Sequence, residues 1–266
     1  MDPRGKKVLL TGATGGLGRA IAEALAGRGA SLILSSRKGE ELESLAAGLP
    51  GQHRAVVSDL AGVGAALKLL SDAGEIDALV ANAGVPGAGK LTDFTSEDIE
   101  KAVRVNLESP MLMAHALLPR MLERGEGHLV MVASLSGFAP TARQSIYNGT
   151  KFGLRGFALG LREDLRGTGV GVSLVSPGFI REAGMFADTK ASAPTGMGTS
   201  SPEEVGAAVV EAIEKNRGEI TVAPFRQTAL AKFAGRHPEL AGRLSNKAAV
   251  KAGDEVARGH TEAGKQ

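Results

Sequence analysis

The chain has no cysteine, no tryptophan and a single tyrosine among its 266 residues. Without cysteine it has no disulfide framework, no thiol nucleophile and no thiolate-bound metal. Its five histidines, His53, His115, His128, His237 and His260, show no metal-ligand spacing, so no metal site is expected. Aromatics make up only 3% of the residues, so core volume must come from Leu, Val, Ile and Ala. Long apolar runs are missing too. The stretch Val8–Leu10 stops at Thr11–Gly12, short of the roughly 7–15 apolar residues of a secretory signal. No window approaches the roughly 20 residues of a membrane span. The expectation is a cytoplasmic protein with no membrane span.

The composition is otherwise that of a globular domain, with 43% hydrophobic and 23% charged residues. Glycine is plentiful, at 37 residues. The length suits one α/β domain with a sizeable core. Net charge is +2 but unevenly spread: residues 226–266 hold eight Lys/Arg against four Asp/Glu. That segment lacks the dense basic run or interleaved aromatics of a nucleic-acid surface. It reads as a solvated C-terminal helical extension, with residues 1–225 as the domain proper and no nucleic acid as partner.

Apolar runs alternate with helical patterns. Lys6–Thr11, Ala30–Ser36, Arg54–Ser58, Ile76–Ala81, His128–Ala133, Val170–Val175 and Glu219–Val222 read as strands. Most are continuously apolar, as strands buried on both faces are. Between them Leu17–Gly27, Glu40–Gly48, Gly62–Ala73, Ser96–Arg124, Ser145–Gly167 and Pro202–Lys215 read as helices. In the first of these, Leu17, Ile21 and Leu25 lay one apolar stripe along the helix. Strands alternating with helices imply an α/β fold of the Rossmann type: a doubly wound, seven-stranded parallel sheet with helices on both faces. Glu182–Ser201 breaks the pattern, rich in Gly, Ala, Ser and Thr, and is expected over the carboxyl edge of the sheet.

The first strand runs into Thr11-Gly12-Ala13-Thr14-Gly15-Gly16-Leu17-Gly18 and then a helix. Gly12 permits the tight turn, Gly16 lets backbone approach a pyrophosphate, and Gly18 allows close helix–strand packing. The helix N-terminus offers free N–H groups and a positive dipole end to phosphates. The spacing, Gly-x₃-Gly-x-Gly, resembles that of the short-chain dehydrogenase/reductase family in its single-domain branch of roughly 250 residues. The end of the second strand reads Ser35-Ser36-Arg37-Lys38. The acid that binds a ribose 2′-OH in NAD sites is not there, and a cation is. A guanidinium pairs well with a 2′-phosphate, so NADP(H) is expected over NAD(H), with Arg37 as its reader.

Tyr147-Asn148-Gly149-Thr150-Lys151 puts Tyr and Lys one helical turn apart on one face. An ammonium beside a phenol lowers its pKa toward the working range of an acid/base catalyst. The family resemblance implies the remaining assignments. Ser134 binds the substrate oxygen, and Asn106 supports proton resupply through a water linked to Lys151. Asp59 and Leu60 meet the adenine, and Asn82, Ala83 and Gly84 lie beside its ribose. Pro177, Gly178 and Ile180 flank the nicotinamide, and Tyr147 and Lys151 also touch the cofactor. Where the family often has Thr, this chain has Glu182, which is left out of the site. The resemblance also implies subunit contacts through Ser109–Arg124 and Ser145–Gly167, hence a homodimer or homotetramer.

Expected pocket walls are Leu135, Phe138, Gln144, Phe179, Met185, Phe186 and Met197, with Arg143 and Arg181 as the only charged anchors. Mostly apolar walls suit a hydrophobic ketone or acyl chain. Leu230, Phe233, Ala234, Leu240 and Leu244 are expected to form an amphipathic helix covering the pocket or touching a partner. The function expected is NADP(H)-dependent interconversion of a carbonyl and a secondary alcohol; the alternative is a non-catalytic dinucleotide-binding regulator on the same fold.

Overall fold

The computed structural model describes residues 1–182, 196–244 and Asp254. The chain runs β1 (Lys7–Thr11), α1 (Gly16–Ala26), β2 (Ser31–Ser36), α2 (Gly39–Gly48), β3 (Arg54–Val57), α3 (Ala65–Ala73) and β4 (Ala78–Ala81). It continues with α4 (Ser96–Val103), α5 (Ser109–Arg124), β5 (Gly127–Val132), α6 (Ser145–Asp164), β6 (Val170–Pro177), α7 (Pro202–Lys215), β7 (Glu219–Val222), α8 (Phe225–Arg236) and α9 (Pro238–Leu244). The strands form one sheet, ordered β3-β2-β1-β4-β5-β6-β7, and every pairing is parallel.

Strand residues alternate between two apolar layers. Val8, Leu10, Leu34, Val80, Val132 and Val175 pack under α1, α2 and α7. Leu9, Ile33, Leu79, Met131 and Leu174 pack under α3, α5 and α6. Both faces of the central strands are therefore dry, which is why β5 and β6 are buried at every position. The edge strand β3 is not buried and carries Arg54. Among the described residues no helix is long and apolar enough to cross a membrane.

Two expectations are corrected. The helix expected from Gly62 starts at Ala65, because Gly64 holds φ +75°, a left-handed conformation outside a right-handed helix. The stretch Ser96–Arg124 is not one uniform helix: a π turn, Arg104–Glu108, separates α4 from α5, with Ser109 N–H reaching back five residues to Arg104 O. Of the two roles expected for the apolar stripe on the C-terminal helices, its outward exposure among the described residues, with Leu230, Phe233 and Leu240 each at least 40% exposed, suits contact with a partner. What α8 buries instead is Gln227.

Candidate active site

The strand order reverses between β1 and β4, which opens a crevice at their carboxyl ends. A threonine latches this point. Thr11 Oγ1 accepts from Asn82 N–H (3.1 Å) and Ala83 N–H (3.0 Å), and Asn82 Nδ2 donates to Thr11 O (3.0 Å) and Gly12 O (3.2 Å). The Asn82–Ala83–Gly84 turn is thus held against the glycine turn. Gly12 has φ +68°, and a Cβ there would lie 2.9 Å from Ala83 Cα. A Cβ on Gly18 would overlap Gly12 O. Both glycines are needed for packing, before any ligand is considered.

The residues around this crevice fit a dinucleotide. Helices α4 and α7 begin with reciprocal side-chain caps, Thr95 with Asp98 and Ser201 with Glu204. Helix α1 begins at Gly15–Gly16 with no side-chain cap and no acid in its first turn. Among the described residues its end N–H groups and positive dipole thus meet no capping side chain and no first-turn acid, a donor set that suits phosphate. Arg37 lies exposed just past β2 and makes no ion pair among the described residues, whereas neighbouring Lys38 and Arg19 are both occupied by Glu41. Asp59 Oδ1 accepts from Ala61 N–H (3.0 Å) and shapes the turn after β3. The Leu60 and Ile180 side chains belong to the two apolar layers, which leaves their backbone to meet a ligand.

The other side of the crevice is built by α5, α6 and the end of β5. Asn106 sits buried in the π turn, which points its amide at Val85: Oδ1 accepts from Val85 N–H (2.8 Å) and Nδ2 donates to Val85 O (2.9 Å). The same Nδ2 donates to Thr150 Oγ1 (3.2 Å), which in turn donates to Tyr147 O (2.9 Å). Asn106 therefore ties the turn after β4 to the first turns of α6. Asn148 pins the loop after Ser134, donating to Ser136 O (2.8 Å) and Ala139 O (3.0 Å) and accepting from Thr141 N–H (3.2 Å). Ser134 Oγ accepts from Ser136 N–H (3.1 Å), which leaves its proton to donate elsewhere.

Lys151 is buried and donates to Val132 O (3.0 Å), with Nζ 5.6 Å from the centre of the Tyr147 ring. Burial drops the Lys151 ammonium to about 8. It pushes the Tyr147 phenol up to about 12, against the pull of a hydrogen bond with Ser134. The expected lowering of the phenol is therefore not met in this structure: desolvation of the phenol oxygen outweighs the Ser134 hydrogen bond, and the Lys151 ammonium is turned toward β5. Tyr147, Lys151, Ser134 and Asn106 nonetheless converge on one side of one crevice, and two of them carry strongly shifted pKa values.

The substrate side departs from expectation in detail. Phe138 does not line an open wall. It is 7% exposed and its ring lies under the Arg155 guanidinium at 4.2 Å. Arg155 in turn grips Glu219 in a two-pronged pair (2.7 and 3.0 Å). The expected anchors are also engaged: Arg143 with Asp254 (2.7 Å), and Arg181 with Glu182 (3.3 Å). Met185 and Phe186 lie outside the described residues. Sequence reasoning missed Thr11, Asn148, Thr150 and Gln227. For the middle pair the signal was available: small polar residues between Tyr147 and Lys151 have nowhere dry to go unless they are bonded.

Comparison with known proteins agrees with this fold. The family model for short chain dehydrogenases matches residues 6–193. The chain is 38% identical over 227 residues to a ketoacyl reductase, HetN, of Nostoc sp., covering 82% of this chain and 78% of that one. A short-chain dehydrogenase from Sphingobium yanoikuyae, solved in complex with NADPH, superposes with a TM-score of 0.76 at 26% identity, covering 91% of this chain and 97% of that one. A metagenomic short-chain oxidoreductase in complex with NADP gives 0.69 at 29% identity, covering 84% and 99%. The chain belongs to the short-chain dehydrogenase/reductase family and is an NAD(P)-dependent oxidoreductase.

Proposed function

We infer that the protein is an NADP(H)-dependent reductase that interconverts a carbonyl and a secondary alcohol on an apolar substrate of the ketone or ketoacyl type. The observation that carries this reading is the grouping of Tyr147, Ser134 and Lys151 at the carboxyl end of β5, beside the crevice. Gly12, Thr14, Gly15, Gly16, Leu17 and Gly18 hold the pyrophosphate at the start of α1. Arg37, which makes no ion pair among the described residues, reads the 2′-phosphate. Asp59, Leu60, Asn82, Ala83 and Gly84 line the adenosine, and Pro177, Gly178 and Ile180 line the nicotinamide end. When bound, the reduced dinucleotide supplies a hydride to the carbonyl carbon.

The rest of the chemistry is proton handling by this chain. Ser134 Oγ–H donates to the substrate oxygen. Tyr147 Oη–H gives its proton to that oxygen as charge develops. A phenol near 12 is fully protonated at neutral pH, and a secondary alkoxide is more basic, so transfer runs downhill in the direction of reduction. Lys151 is still largely cationic at neutral pH with a pKa of about 8. Its charge stabilises the phenolate left behind. Asn106 holds the turn at Val85 and, through Thr150, the helix that carries Tyr147.

Support for the substrate class comes from the Nostoc relative, named a ketoacyl reductase. A homodimer or homotetramer through α5 and α6 is supported by exposed Met111, Leu122 and Phe152. Gly149, Gly156 and Gly160 leave open space along α6. The test is titration with NADPH and NADH followed by a carbonyl panel that includes a 3-ketoacyl thioester. Tighter binding of NADPH and its oxidation by an apolar ketone are expected. Equal affinity for the two dinucleotides removes the Arg37 assignment, and no turnover of any carbonyl removes the reading.

A further inference from the structure

Helix α8 lies beyond the stretch matched by the family model. Gln227, in its first turn, is 4% exposed while Phe225 and Arg226 before it are open to solvent. A buried amide is costly unless its groups are bonded, and here both ends of the amide are. Oε1 accepts from Phe179 N–H (3.1 Å). Nε2 donates to Met197 O (3.2 Å) and Gly198 O (2.7 Å). The orientation is forced, since the reverse would set the amide NH₂ against an N–H and its oxygen against two carbonyls.

The partners matter more than their number. Phe179 follows Gly178, and a Cβ on Gly178 would overlap Gln227 Oε1. Gly178 N–H is held by Val222 O (3.0 Å), and Phe179 O is held by Ser200 N–H (3.0 Å). The turn after β6 is thus fastened from three sides: β7, the 197–200 segment and the Gln227 amide. Of these, only Gln227 joins two of the segments through one side chain.

We propose that Gln227 is a positioning residue for the nicotinamide end of the site: it sets Gly178–Phe179 against residues 197–198 and so fixes the distance over which hydride transfer takes place. This rests on the reading of the Pro177–Gly178 turn given above. The adenosine half of the crevice is remote from α8, so the two halves respond separately. Displacement of about 1 Å at a reacting centre costs roughly 10²-fold in rate, whereas affinity built at a distant, independent site changes by about threefold or less.

Gln227→Glu and Gln227→Ala give the test, with kcat on an apolar ketone and the NADPH dissociation constant as paired readouts. Glu fills the same volume and keeps the acceptor but cannot donate to Met197 O or Gly198 O. The expected result is a fall in kcat of roughly 10- to 100-fold in both variants, Glu no better than Ala, with NADPH affinity retained. A Glu variant that matches wild type while Ala fails means that Gln227 only fills space, and overturns the proposal. Loss of NADPH binding in both variants means a global folding role, and overturns it as well. A wild-type enzyme that binds NADPH but reduces no carbonyl sinks the underlying reading instead, and the proposal with it.

Discussion

The two halves of the crevice are built from different materials. The half formed by β1, β2 and β4 offers mostly backbone: the N–H groups at the uncapped start of α1 and the turn at Asn82. Its specific residues lie within a few positions of a strand end. The half formed by β5, β6, α6 and α8 offers buried side chains, and their partners come from far along the chain. Asn106 meets Thr150, Lys151 meets Val132 O, and Gln227 meets Phe179 and Gly198. Phosphate charge is spread out and is met by a local pattern of dipoles. A proton is moved by one group whose pKa depends on everything packed around it. Binding can therefore be encoded locally, but proton chemistry cannot.

Substitutions that separate the halves test this contrast. Tyr147→Phe removes the proton donor and leaves the phosphate cradle intact. Carbonyl reduction is expected to drop by about 10³-fold or more, with NADPH binding, followed by cofactor fluorescence, nearly unchanged. Near-normal turnover would end the distinction. Asn106→Ala strikes the seam between the halves. It strands Val85 N–H and O and loosens Thr150. A loss of about 2–3 kcal/mol in urea unfolding is expected, together with reduced kcat. Arg37→Ala acts on the other half alone. NADPH affinity should weaken by roughly 10-fold or more, with NADH affinity unaffected, since a charge-assisted pair contributes about 1.5–3 kcal/mol.

The smallest effect per step concerns the sheet that both halves share. His128, buried at the start of β5, lies 2.8 Å from Ser173 Oγ, whose own proton goes to Ala212 O. The ring is therefore the donor in this bond. Burial drops its pKa from 6.5 to about 3. Between those values the unfolded chain binds a proton that the folded chain refuses. This residue's share of stability is thus complete above about pH 6.5 and is lost as pH falls, by about 1.4 kcal/mol per unit. His128→Leu should flatten the acid limb of a urea-unfolding pH profile by one proton. An unchanged slope would show that the ring does not titrate this way.

The seven strands, their order of appearance and the parallel class were legible because strands buried on both faces must be continuously apolar. The glycine turn was legible for a similar reason, since few residues other than glycine fit φ +68° at Gly12 or the contact at Gly18. Tyr147 and Lys151 were legible as a spacing, but the direction of their pKa shifts was not. Spacing put the ammonium near the phenol. Packing turned it toward Val132 O and dried the phenol. Arg143 and Arg181 looked like free anchors because their partners, Asp254 and Glu182, are acids with no marking in the sequence.

Sequence by itself determined the fold class, the glycine turn and the identity of the one phenol, because each depends on local backbone sterics or on a short helical repeat. Only the tertiary structure decided how the π turn aims Asn106, how far burial shifts Tyr147 and Lys151, and that a glutamine from α8 reaches Phe179. These depend on how far water is excluded and on which distant polar group fills the space, and neither leaves a periodic trace along the chain.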